Sequence, residues 1–166
     1  MKRYCFDTSG ISNPAEYMPQ DIHQTMWRKV LEIFKSGSVA VTPEIYDEMV
    51  HIPGEIGACI IAHKDSLVLE INQSGWDWKS YVQHSTRMNE QYRGFISDYG
   101  SGSPKTVGLN DMSIVALAKS LNLPCVSMEG SAMTSPVKRK IPDICIMDGV
   151  DHLTFSEFLR KEGITL

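Results

Sequence analysis

Asp7, Glu48, Asp111 and Glu129 are the residues of this 166-residue chain whose types and positions point to chemistry. Asp7 ends the short apolar run Arg3-Tyr4-Cys5-Phe6. Glu129 ends another, Pro124 to Met128. Both runs read as strands, so both acids stand at carboxyl ends. In an open parallel sheet, ligands bind beyond the carboxyl ends of the strands. Neighbouring strands lie about 4.8 Å apart, so acids at the ends of two adjacent strands can share an ion. Asp111 opens a helix that leads into the second of these strands. Glu48 lies on the helix that follows Val39-Ala40-Val41. Carboxylates brought together repel, and protons or cations must offset that repulsion. Hard divalent ions with oxygen ligands do so, with Mg²⁺ taking one or two carboxylates plus waters and substrate phosphates. Such ions activate water and stabilise the leaving oxygen of a phosphodiester.

Each acid alone has a plainer role. Asp7 suits an Asx-turn, Glu48 a solvated helix face, Asp111 the positive end of a helix dipole, and Glu129 an exposed loop. Their joint placement carries the signal. Asp47 neighbours Glu48 but points about 100° away around the helix. Asp143 is an alternative fourth acid, with the competing role of capping its own short helix. Lys138, Arg139 and Lys140 suit phosphate contact or a solvated loop. Trp76, Trp78 and Tyr81 suit base stacking or plain packing.

The elements that must position these side chains alternate. Residues 21–36 read as a helix capped by Asp21, with Ile22, Met26, Val30, Ile33 and Phe34 on one face and Gly37 as the stop. Val39-Ala40-Val41 reads as a strand, and Thr42-Pro43 as an N-cap with Pro in the first turn. A second helical piece is expected over 55–64, a weak strand over 67–69, and a polar, mostly helical stretch over 76–98. Residues 100–108 form a Gly/Ser/Pro loop. A helix runs from Asp111 to Asn122, with Asn110 as its cap. A loop fills 131–140, and a short helix restarts at 141–143. His152-Leu153 is a final strand, and Thr154 to Glu157 a capping box that opens the last helix, to Gly163. Strands alternating with helices imply an α/β fold with a parallel sheet covered on both faces. No linker divides the chain, so one domain over 1–166 is expected.

Bulk properties narrow the function. A 42% hydrophobic and 22% charged composition is that of an ordinary globular protein. Net charge is -4, which disfavours a generic DNA coat. The 4 cysteines and 5 histidines are scattered without metal-ligand spacing. The cysteines read as small buried hydrophobes in a reducing cytosol. No apolar run approaches the ~18 residues of a membrane helix, and a cytoplasmic protein with no membrane partner is expected.

At this point the sequence resembles the PIN-domain superfamily. Tyr4-Cys5-Phe6-Asp7-Thr8-Ser9 is similar to its opening strand, usually Leu-Asp-Thr-Asn. Val41 to Met49 resembles its second strand and acidic helix. Asn110 to Ala118 resembles its third acidic motif, and Val126-Ser127-Met128-Glu129 the strand that ends in Thr-x-Asp in many members. The run 138–143 with the Cys145 helix resembles a bacterial branch related to VapC-type toxin ribonucleases. The match follows motif order along nearly the whole chain and is loose over 55–105. The resemblance implies a three-layer α/β/α sandwich with a roughly five-stranded parallel sheet. It implies Mg²⁺- or Mn²⁺-dependent cleavage of RNA, often as the toxin of a toxin–antitoxin pair with a cognate antitoxin, and a homodimer. Carried over by position, Asp7, Glu48 and Asp111 hold the metal, Glu129 is the outer acid, and Ser9 and Ser127 orient carboxylates. Three departures stand out: Ser9 for the usual Asn, Gly10 loosening the following turn, and Glu129 one methylene longer than the common Asp. A PIN module that only binds RNA or protein remains the alternative. A response-regulator-like phosphotransfer fold also places acids at strand ends, but it wants an acid pair where Asp7-Thr8-Ser9 stands.

Overall fold

A computed structural model describes residues 1–100 and 106–165. Its centre is the run that the aromatic-rich N-terminus predicts. β1 (Tyr4–Phe6) is buried along its length. It pairs in parallel with β2 (Val39–Ala40) on one side and β3 (Cys125–Val126) on the other, and β3 pairs in parallel with β4 (His152–Leu153). The order is β2-β1-β3-β4. The weak strand expected over 67–69 is reduced to one parallel bridge, Val41 to Val68, beyond β2. Two backbone hydrogen bonds hold it, Val41 N to Leu67 O at 3.0 Å and Leu69 N to Val41 O at 3.1 Å. The expected five strands are thus four plus a bridge.

Side chains alternate across a strand, and β1 uses both faces. Tyr4 and Phe6 turn to one side. There both rings meet Phe158 edge-on, and Phe6 also meets Phe34. These partners belong to α9 (Phe155–Lys161) and α2 (Gln24–Lys35). Cys5 turns to the other side, toward Cys145 of α8 (Ile141–Asp148), and α7 (Leu109–Leu121) packs along β1 and β3. Helices therefore cover both faces of the sheet, giving the three-layer α/β/α arrangement. All four cysteines are free and buried.

Three helix boundaries moved for identifiable reasons. The turn expected after Asp7 runs straight into a helix the sequence did not predict, α1 (Ser9–Tyr17), which carries Gly10 and Pro14. Gly10 is not a loosened turn: a Cβ there would sit 2.6 Å from Val126 O, so the helix can only approach β3 this closely without one. α2 begins at Gln24, because 21–23 belong to a turn in which Ile22 is exposed rather than buried. α7 begins at Leu109, and Gly108 rather than Asn110 is its N-cap. The expected helix over 55–64 is α4 (Gly54–Ala62), followed by the short α5 (Lys64–Leu67). The stretch 76–98 holds α6 (Trp78–Gln91) and two 3₁₀ turns. The loop expected over 100–108 lies partly outside the described residues. The Thr154–Glu157 capping box is present, with Glu157 N donating to Thr154 Oγ1 and Thr154 N to Glu157 Oε2. Trp76 and Tyr81 pack on each other, and the Trp76 indole donates to Glu70 O.

One ionic cluster away from the sheet edge ties α6, α7 and α8 together. Asp148 accepts from Arg87 Nη1 and Nη2 at 2.8 and 2.9 Å and from the Tyr92 hydroxyl at 2.8 Å, with Lys119 Nζ 3.7 Å away. Burial opposes ionisation of Asp148, but the Arg87 and Tyr92 hydrogen bonds and the two cations outweigh it and hold the carboxyl below its usual value.

Candidate active site

The carboxyl ends of β1 and β3 and the starts of two helices meet at one edge of the sheet. Asp7 directly follows β1 and is buried. Its Oδ2 accepts from Ser9 N at 3.0 Å and Ser9 Oγ at 2.5 Å. The Ser9 hydroxyl in turn accepts from Met128 N at 3.1 Å, which ties this turn to the end of β3. Ser9 therefore fixes one oxygen of the Asp7 carboxylate through its backbone and its hydroxyl. Asp111 is the third residue of α7, and its Oδ2 accepts from the N-cap amide, Gly108 N, at 2.9 Å. Among the described residues, Oδ1 of Asp7 and of Asp111 accepts no hydrogen bond.

Glu48 is carried by α3 (Pro43–Met49), which starts at the Thr42-Pro43 cap the sequence predicts. Its carboxylate is exposed but not loose. Thr8 Oγ1 donates to Oε2 at 2.7 Å, and Asn110 Nδ2 donates to Oε1 at 2.8 Å. Below it, the buried hydroxyls of Thr42 and Ser113 stand 2.9 Å apart and lock α3 to α7. Ser113 also donates to Asn110 O at 2.7 Å. Glu129, after β3, accepts from Ile141 N at 3.0 Å through Oε2, and its Oε1 lies 4.0 Å from Lys140 Nζ.

The electrostatics show that the four acids share one region. Burial pushes the Asp7 carboxyl up to about 6; the Ser9 hydrogen bonds oppose this, and the charges of Glu129 and Glu48 add to it. Burial likewise pushes Asp111 up to about 7, against the Gly108 hydrogen bond and with the charges of Glu129, Asp7 and Glu48 adding to it. Asp111 thus feels all three others. Among the described residues, however, no three His, Cys, Asp or Glu side chains close on one point as metal ligands do. The acids border a common region while Glu48, Glu129 and one oxygen of each Asp are turned to internal donors. The donor set itself, carboxylate oxygens alone, fits a hard divalent ion and not a soft one.

Other expected residues fall elsewhere. Asp143 is fully buried in a structural role: its Oδ2 accepts from Ala132 N and Lys140 N, both at 2.8 Å, and Ser131 donates to Oδ1. It closes the 131–140 loop and caps α8. Ser127 does not orient a carboxylate. Its buried hydroxyl lies 2.7 Å from His152 Nε2 on the adjacent strand. Burial lowers the His152 pKa against the pull of Glu157, Glu129 and Asp143. Arg139 donates to Ser135 O and Lys138 O, and its guanidinium lies 4.7 Å from the Phe95 ring centroid, so most of it is spent holding the loop. Thr8 and Asn110 were not singled out as site residues, and no local sequence signal connects them to Glu48. A groove of about 740 Å³ starts at Thr8 and Glu48 and runs between α1 and the connection from α3 to α4, along Ala15, Pro19, Ile52 and Pro53.

With the acids placed, comparison with known proteins becomes informative. The model of a family described as a domain of unknown function, DUF4411, matches residues 4–166. The chain belongs to this family. No curated protein matches the sequence. Two solved structures share the fold of this DUF4411 chain. One is the DNA-bound VapBC from Salmonella typhimurium, with TM-score 0.51 and 15% identity over 93% of this chain and 99% of that one. The other is VapBC-1 from nontypeable Haemophilus influenzae, with TM-score 0.51 and 14% identity over 92% of this chain and 98% of that one. This chain therefore shares its fold with these VapBC structures, an α/β arrangement of a parallel sheet flanked by helices. No helix among the described residues is long and apolar enough to cross a membrane.

Proposed function

We propose that this chain is a metal-dependent endoribonuclease that hydrolyses RNA phosphodiesters, as the toxin of a toxin–antitoxin pair in the cytoplasm. The observation that supports the reading is that Asp7, Glu48, Asp111 and Glu129 border one region at the carboxyl edge of the sheet, close enough that the charges of the other three add to the rise that burial gives Asp111. Asp7, Asp111 and Glu48 would hold Mg²⁺ or Mn²⁺, with Glu129 as the outer acid. The ion, when bound, supplies Lewis-acid polarisation of the phosphodiester and a lowered pKa for the attacking water. The chain's own part is positional. Ser9 keeps Asp7 from swinging, the Gly108 amide keeps Asp111 from swinging, and Lys138 and Lys140 stand on the loop beside Glu129 where a phosphate can be met. An antitoxin segment lying in the groove beside Glu48 would cover the acids, the chemistry expected of an inhibitor of this site.

The test is cleavage of single-stranded RNA with Mg²⁺ or Mn²⁺. Cleavage should fall at least about a hundredfold in Asp7→Ala and Asp111→Ala with the circular dichroism unchanged. Cleavage that survives excess chelator refutes the reading. Expression should arrest growth, and Asp7→Ala should not. One observation favours a second reading, a PIN module that binds RNA or protein without cutting: each acid already has an internal donor, and no three of them converge. Calorimetry separates the two, since an inert module takes up no Mn²⁺ at millimolar concentration.

A further inference from the structure

Three polar residues stand at helix starts in this site, where such side chains ordinarily cap the helix. Asp111 does so, bonding Gly108 N. Thr8 and Asn110 do not. Thr8 occupies the cap position of α1, but its backbone is already helical (φ -53°, ψ -44°) and its hydroxyl makes no cap bond. It donates instead to Glu48, 40 residues away. Asn110 is the second residue of α7, and its amide also reaches Glu48, 62 residues away. The two donors come from two different helices and take the two different oxygens of one carboxylate on a third. A glutamate on a solvent-facing helix surface otherwise samples several rotamers, and fixing one costs side-chain entropy.

We propose that Thr8 and Asn110 are positioning residues that clamp Glu48 in the orientation from which it serves the ion. The inference rests on the metal-dependent reading above and extends it to two residues outside the acidic set. Without the clamp, Glu48 is an ordinary mobile surface acid. With it, α1, α3 and α7 are joined through one carboxylate, and the charge of Glu48 stays directed at Asp7 and Asp111. Residues that orient a metal ligand through hydrogen bonds typically account for about 10–100-fold in metal affinity. The clamp also leaves Glu48 its syn or anti lone pairs for the ion, because each oxygen accepts only one bond from it.

The experiment is Mn²⁺ calorimetry on the full chain with a metal-free companion. Thr8→Val keeps the shape and removes the hydroxyl, without removing a helix cap; Asn110→Ala removes the amide. Each should weaken Mn²⁺ binding about tenfold or more, whereas Thr8→Ser, which restores the donor, should stay within about twofold of the parent. In a Glu48→Ala background, neither substitution should weaken binding further. Equal losses with and without Glu48 would overturn the clamp, because the residues would then act through the helices. The companion measurement is the Asn110 side-chain amide resonance in the metal-free protein, which Glu48→Ala should shift. An amide blind to Glu48 also overturns the proposal. If the parent takes up no Mn²⁺, the metal-dependent reading fails, while the amide resonance still decides whether the clamp exists.

Discussion

Asp7 and Asp111 place a cost on this protein that other carboxylates do not. Burial first, then the neighbouring acids, raise them to about 6 and about 7 from an ordinary 3.8. An acid whose folded pKa lies above its unfolded value supports folding fully below about pH 4 and withdraws that support as pH rises through the folded pKa. The metal-free protein should therefore lose stability between about pH 4 and pH 7 from these two groups. At roughly 1.4 kcal/mol per pH unit, the rise from 3.8 to about 6 means that Asp7 alone accounts for up to about 3 kcal/mol at pH 8. Asp7→Asn and Asp111→Asn should each raise the melting temperature at pH 8 in chelator, with the gain gone near pH 4. Thermal melts across that range check this, and a gain independent of pH would show that the two carboxyls are not held above their ordinary range. Mn²⁺ should stabilise the parent and leave the variants unmoved. The acids themselves were legible in the sequence because a strand end or a helix start is a local address. Their partners were not. Nothing in the spacing of Thr8, Glu48 and Asn110 connects them, since their meeting depends on how α3 packs on α7, where the buried Thr42–Ser113 contact lies.

The elements show the same division between local and distant causes. α7 and α9 were readable because an apolar helical period and a capping box are written within a few residues. α1 was not, because Gly10 and Pro14 both score against a helix. Its reason for forming lies over a hundred residues away, in the close approach of Gly10 to Val126. Ser127 was misassigned for a similar reason. Its motif position suggests the acids, but parallel pairing of β3 with β4 sets it against His152. The Gly10 contact gives a prediction whose sign opposes helix propensity. Alanine is favoured over glycine in a helix by about 1 kcal/mol. Here, however, Gly10→Ala drives a Cβ to 2.6 Å from a backbone oxygen that cannot rotate away. Overpacking of this kind costs about 1–3 kcal/mol, so a lowered denaturation midpoint is expected. Because Ser9 bonds both Asp7 and Met128 N, the shift should also misplace Asp7. RNA cleavage should then fall under conditions where the variant is still fully folded. Unchanged or increased stability, by urea titration, would mean that α1 does not sit against β3 in this way.

At the scale of the molecule, a net charge of -4 is unusual for a protein proposed to hold RNA. Removing the four site carboxylates from the sum gives -4 + 4 = 0, so the rest of the surface neither attracts nor repels a polyanion strongly. Affinity must then come from the ions held at the acids and from a few basic groups. On the 131–140 loop, Arg139 is largely committed to Ser135, Lys138 and Phe95, and Lys140 faces Glu129. On the proposed reading, Lys138, and Lys140 once it lets go of Glu129, are the phosphate contacts of this loop. Each phosphate neutralised on a single strand steepens the salt dependence by about 0.7 in log–log slope. Two contacts therefore predict a shallow slope of roughly -1.4 for single-stranded RNA. Lys138→Ala should reduce it by about 0.7 without changing sequence preference. The measurement needs an uncut complex, which the Asp7→Asn/Asp111→Asn double variant supplies. Having lost two negative charges at the site, it should bind RNA in chelator more tightly than the parent does. A steep slope would point to a basic path elsewhere on the surface. Equal binding by parent and double variant in chelator would mean that RNA does not approach the four acids at all.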